Sequence, residues 1–148
     1  MLRSVLHAGL GDFPLNFAAP DMTSVGGQGD APIWHIVLFK FRDDVTVEMR
    51  AEVAKRFDAL KSSERDDKPY ILDIVHGAQN SEEGAHKDYE LGFIVKFDNE
   101  DDRAYYVGRP FVGDGPFDRA HDEFKTFVGP LLAETNGVLV FDFTEGNI

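Results

Sequence analysis

Beyond residue 32, apolar and polar positions alternate in runs that predict four strands and two helical regions. The first run, Ile33 to Phe41, places His35, Val37, Phe39 and Phe41 on one side of a strand and Trp34, Ile36 and Leu38 on the other, since successive strand side chains point to opposite faces. Both faces are apolar, so both need a cover. The period then changes: Val45, Met49, Val53, Phe57 and Leu60 recur at three- and four-residue steps. This predicts an amphipathic helix capped by Asp44 or Thr46, with Glu52 placed to pair with Arg56 one turn on. The helix stops at the polar run Ser62 to Pro69, and a second strand spans Tyr70 to His76, ending at Gly77. Residues 78–88 read as a polar loop with room for a short helical turn.

A third strand runs from Tyr89 to Phe97, with Leu91, Phe93, Val95 and Phe97 on one face and Gly92, Ile94 and Lys96 on the other. Asp98 or Asn99 caps a short acidic helix reaching Tyr106. Residues 108–117 hold five Gly and Pro and must form a loop. A further helix over about Asp118 to Leu132 aligns Phe124, Phe127, Val128 and Leu131, with Gly129-Pro130 disturbing its end, and Gly137 opens a last strand, Val138 to Phe143. The order is βαββαβ with the second helical region broken in two. Right-handed crossovers put both helical regions on one face of a four-stranded antiparallel sheet, an α+β, ferredoxin-like arrangement. The other face is left bare. Pairing it with a second copy about a two-fold axis gives a homodimeric α+β barrel in which two sheets enclose an interior.

Composition narrows the picture. The chain has 148 residues, 43% of them hydrophobic, which suits one domain over 32–148. Residues 1–31, broken by Gly9, Gly11, Pro14, Pro20 and the Gly26-Gly27-Gln28-Gly29 run, read as a flexible extension; a faint targeting pattern over the first eight residues is the minority reading. No run approaches the ~18 to 20 apolar residues of a membrane span. Asp and Glu outnumber Lys and Arg by 27 to 15, for a net charge of −12, which argues against nucleic acid and anionic membranes as partners. Cysteine is absent, excluding disulfides and thiolate chemistry and fitting a cytoplasmic location. The 13 phenylalanines call for a large apolar core or an apolar pocket.

Several chemistries find no motif. The histidines at 7, 35, 76, 86 and 121 are not spaced as metal ligands on a helix, so no metal is expected. The glycine runs lack the Lys-Ser/Thr of a phosphate loop, and no serine elbow is present. No cofactor is called for.

Five segments together carry a family resemblance: His35-Ile36-Val37-Leu38-Phe39-Lys40-Phe41, Gly77, Tyr105-Tyr106-Val107, Ala120-His121-x-x-Phe124-Lys125-x-Phe127-Val128 and Phe141-Asp142-Phe143. In this order they resemble the stress-responsive A/B barrel family of dimeric α+β barrels over about residues 33–144. That family includes stress-induced plant proteins, a polyketide cyclase and a hydroxynitrile lyase, so the fold does not fix the function. The resemblance implies a catalytic tyrosine in the acidic helix, here Tyr106, with a histidine shortly after it. Val112 occupies the position that direct spacing gives; anchoring on the following helix assigns the role to His121 and makes the 108–117 loop an insertion, with a lid over the cavity as one use for it. We prefer His121. Acting as a general base beside a tyrosine hydroxyl that holds a carbonyl oxygen, it would abstract an acidic proton without metal or cofactor.

The resemblance also implies that His35, Val37, Phe39, Phe57, Phe93 and Val95 line a cavity binding an apolar, carbonyl-bearing small molecule. Core packing accounts equally for Phe57, Phe93 and Val95, and for His35 a core or interface histidine is preferred to direct chemistry. Asp73, between Leu72 and Ile74, faces solvent or pairs across an interface. The expected activity is an aldol-type cyclisation or a lyase step; the alternative is a non-catalytic ligand-binding or stress-response dimer.

Overall fold

The alternation in the first run decides the layering. In the computed structural model, which describes residues 31–148, β1 (Ile33–Phe39) buries Ile33, His35, Val37 and Phe39 and leaves Trp34, Ile36 and Leu38 half-buried. The other long strands are β4 (Ile71–Ala78), β5 (Leu91–Phe97) and β6 (Val138–Thr144). They form one antiparallel sheet in the order β4-β5-β1-β6, with β1 paired to β5 and β6 and β4 on the far side of β5. This is the ferredoxin-like α+β topology expected. Apart from Ala31, the extension expected over 1–31 lies outside the described residues.

Three helices cover one face. In α1 (Val47–Ala59) Thr46, rather than Asp44, is the cap, its hydroxyl accepting from the Met49 amide at 3.2 Å, while Asp44 is engaged by the Arg42 guanidinium. Glu52 pairs with Arg56 at 2.7 Å as the one-turn spacing predicts. Phe57 lies flat on Phe93, ring centroids 3.8 Å apart, and meets Phe124 edge-on at 5.2 Å, so α1 and α3 (Arg119–Val128) close over the same aromatic floor. Met49, expected in the buried stripe, is 39% exposed.

α2 (Glu100–Val107) is capped by Asn99, not Asp98, and ends at Gly108, whose φ of +76° is a conformation side chains rarely adopt. The helix expected to reach Leu132 ends at Val128, and Gly129–Leu131 tighten into a 3₁₀ turn because Pro130 has no amide to continue the α ladder. Gly137 cannot be replaced cheaply: a Cβ there would meet the Ala133 carbonyl oxygen at 2.3 Å.

The polar run after α1 holds a structure that composition hid. Glu64–Arg65 (β2) and Lys68–Pro69 (β3) form a small hairpin around Asp66 and Asp67, both at positive φ as a type I′ turn requires. Residues 78–88 contain no helix beyond the strand end. Asp73 is about half-exposed and pairs with Lys61 at 2.7 Å.

The uncovered face of the sheet is apolar. It presents Trp34, Ile36 and Leu38, with Val75 50%, Leu139 38%, Phe141 58% and Phe143 41% exposed. Among the described residues, no helix is long and apolar enough to cross a membrane.

Candidate functional site

The site arises from where the helices stop. β6 is an edge strand, and its Val138, Val140 and Asp142 alternate onto the helix-covered face opposite Phe39, Val37 and His35. No helix reaches Val138 and Val140, which stay 48% and 54% exposed. Between that edge and α3 lies a cavity of about 460 Å³, floored by Val37, Phe39, Phe57 and Phe124, with Arg109, Phe111 and Lys125 at its mouth. His35, His121 and Asp142 bring polar atoms into an otherwise apolar wall. The cavity therefore sits inside one protomer, between sheet and helices. It is distinct from the interior expected between two paired sheets.

His121 is fixed from two sides. Asp118 caps α3, accepting from the His121 amide at 3.1 Å, and is itself held by the Tyr70 hydroxyl. The imidazole stacks on the Tyr106 ring at 3.8 Å, and its Nδ1 lies 2.5 Å from the Tyr106 carbonyl oxygen. A carbonyl can only accept, so Nδ1 carries the hydrogen and Nε2 keeps a free lone pair. Burial pushes the imidazole down to about 4, with the Tyr106 carbonyl opposing that shift. At neutral pH it is an uncharged proton acceptor.

The second imidazole is fixed across the sheet. His35 and Asp142 are directly paired residues of β1 and β6, and Nδ1–H donates to the carboxylate at 2.6 Å. The other carboxylate oxygen accepts from Arg103 of α2 at 3.0 Å. Burial alone would raise the Asp142 carboxyl, but the His35 and Arg103 hydrogen bonds outweigh it and hold the group below its ordinary value. With Nδ1 committed to Asp142, the free lone pair of neutral His35 is again on Nε2.

Of the residues singled out from the sequence, His35, Val37, Phe39, Phe57 and His121 line this cavity. Phe93, Val95 and Tyr106 do not. Phe93 and Val95 are fully packed core beneath the floor. The Tyr106 ring is 1% exposed, wedged between His121, Phe97 and the edge of His35, and its hydroxyl is buried without a partner. Burial pushes its phenol well above the ordinary value. Val112 is not in the lining; from the 108–117 loop only Arg109 and Phe111 are, with the Arg103 guanidinium 4.8 Å from the Phe111 ring centre.

Asp142, Arg103 and Asp118 were not singled out. The alternation Phe141-Asp142-Phe143 was a usable signal for the first, since it forces the carboxylate onto the side opposite two phenylalanines. Arg103 gave none, because Asp142 lies 39 residues away; Asp118 carried a local cap signal three residues before His121, while its Tyr70 partner is distant in sequence.

A four-stranded antiparallel sheet covered by helices on one face makes this a ferredoxin-like α+β protein. The model of the stress responsive A/B barrel domain matches residues 33–145, and the chain belongs to that family. A crystal structure of an Arabidopsis thaliana protein is 26% identical, with a TM-score of 0.59 over 78% of this chain and 97% of that one. A dimeric ferredoxin-like protein of unknown function from a Jannaschia species is 18% identical, with a TM-score of 0.56 over 76% and 97%. The hydroxynitrile lyase of Passiflora edulis shares the fold at 12% identity, with a TM-score of 0.59 over 79% and 95%. Comparison with curated proteins gives no match.

Proposed function

We propose that the chain is a cofactor-independent proton-transfer catalyst acting on an apolar, carbonyl-bearing small molecule in the helix-side cavity, through an aldol-type cyclisation or a lyase step. The observation that carries this is the pair of imidazoles in one apolar wall, each with Nδ1 committed to an acceptor and Nε2 left as the basic atom. A neutral, oriented base in a largely apolar wall suits removal of a proton next to a carbonyl. His121 is the base in this reading. His35, oriented by Asp142, lies on the same wall to hold or return a proton, and Val37, Phe39 and Phe57 bind the apolar body.

Two copies pair through the bare sheet face. The exposed Phe141, Phe143 and Leu139 form the kind of contiguous apolar surface a monomer seldom presents, and related structures are described as dimeric.

A non-catalytic, ligand-binding dimer is the second reading. It is favoured by Tyr106, whose hydroxyl is not in the cavity wall and so offers no hydrogen bond to a developing oxyanion there.

Proton exchange separates the two without knowledge of the substrate. In D₂O, the protein should accelerate loss of the α-proton signals of 4-phenylbutan-2-one, and His121→Ala should abolish the acceleration while circular dichroism shows the fold intact. Binding of the ketone without accelerated exchange would leave the ligand-binding reading in its place.

A further inference from the structure

Charge is unevenly placed around the cavity. The carboxylate in its wall, Asp142, is already committed to His35 and Arg103. The two solvent-facing charges at the mouth, Arg109 and Lys125, are both positive, in a chain whose net charge is −12. Neither has a close ionic partner. Arg109 meets Asp114 at 3.5 Å with side chains 72% and 103% exposed, and Lys125 meets Asp122 at 3.8 Å with 46% and 57% exposed, besides donating to the Val107 carbonyl. Exposed ion pairs of this kind are worth at most about 1 kcal/mol, so either cation can turn to a better anion. Below them the floor is aromatic.

We infer that the cavity selects an amphipathic monocarboxylate: an aryl or alkyl body lies against Phe57 and Phe124, and the acid group sits at the mouth on Arg109 and Lys125. The Arg109 guanidinium offers the paired donors a carboxylate accepts in parallel, and Lys125 adds a second positive charge. An apolar body without an acid group would leave both cations where they are and gain only from burial. The inference rests on the cavity being the ligand site and adds to it the identity of the polar end. It also sets the orientation, with the acid outward and the remaining polar function inward, toward the imidazoles.

The experiment titrates the full chain with 4-phenylbutanoate and with the neutral 4-phenylbutan-1-ol, following His121 and Val37 by NMR. The carboxylate should bind about five- to tenfold more tightly than the alcohol, and raising the salt to 1 M should remove most of that difference, since both cations are exposed. The double substitution R109Q/K125Q should bring the two affinities together, weakening the acid about five- to tenfold more than the alcohol. Equal binding of acid and alcohol by the unaltered chain overturns the inference and leaves the cavity reading standing. So does an acid preference that survives R109Q/K125Q. Binding of neither compound overturns the cavity reading itself, and this inference with it.

Discussion

Replacing Asp142 by Asn keeps the shape of the side chain, removes its charge and turns one of its two acceptor oxygens into an NH2 donor, so only one of its two hydrogen bonds can be kept. The carboxylate takes one hydrogen bond from His35 at 2.6 Å and another from Arg103 at 3.0 Å. Charge-assisted bonds contribute about 1.5–3 kcal/mol each against about 0.5–1.5 for neutral ones, so trading the first for a neutral bond costs about 1 kcal/mol. Loss of the second leaves Arg103, whose Nε is already buried without a partner, with no counter-charge at Asp142. Breaking a fully buried pair costs about 3–5 kcal/mol; with Asp142 and Arg103 side chains 22% and 18% exposed, solvent recovers part of that. The sum is about 2–3 kcal/mol, or a fall in Tm of roughly 4–12 °C for a chain of this size.

Urea unfolding at pH 7, 5 and 3 measures it. The Asp142 carboxyl is held below its ordinary 3.8, so its stabilisation is fully present above that value and is lost as pH falls through the folded-state pKa. The deficit of D142N should therefore be present at pH 7 and 5 and shrink at pH 3. A deficit under about 0.5 kcal/mol at pH 7, or one that does not shrink in acid, would refute the reasoning.

Three further outcomes follow from the same geometry. The His121 ring should titrate near 4 by NMR, and because it stays neutral when folded while the unfolded imidazole takes a proton near 6.5, stability should fall as pH drops from 6.5 toward 4, a slope that His121→Gln should flatten. Tyr106→Phe removes a buried hydroxyl that has no partner, so it should be neutral or stabilise by up to about 1 kcal/mol in urea unfolding; a loss above that would mean the hydroxyl is satisfied. Phe141→Lys places a charge on the bare apolar face and should convert a dimer to a monomer in sedimentation at micromolar concentration, with the cavity residues unperturbed by NMR.

The fold was legible because periodicity is written locally: the two-residue alternation of Ile33–Phe41 and the three- and four-residue steps from Val45 to Leu60 each identify an element without reference to the rest. The hairpin at Asp66-Asp67 was not, since two aspartates at positive φ look like any polar run. The site was half legible. His35 and His121 stood out as lone imidazoles near apolar stripes, but their tautomers depend on Asp142 and on the Tyr106 carbonyl, partners 107 and 15 residues away. Tyr106 is the instructive case. Its place in the acidic helix matches the family pattern, yet its ring packs flat on His121 and keeps the hydroxyl out of the cavity wall. Spacing along a helix fixes which way a side chain leaves the backbone, not what its far end meets.

The most direct measurement is a long-range ¹H–¹⁵N spectrum of the imidazoles with and without 4-phenylbutan-2-one. Both His35 and His121 should carry hydrogen on Nδ1 in the free protein, and the ketone should shift the two Nε2 signals together while Nδ1 holds. If either ring carries its proton on Nε2, or if the ketone moves one ring and not the other, the two bases do not share a site.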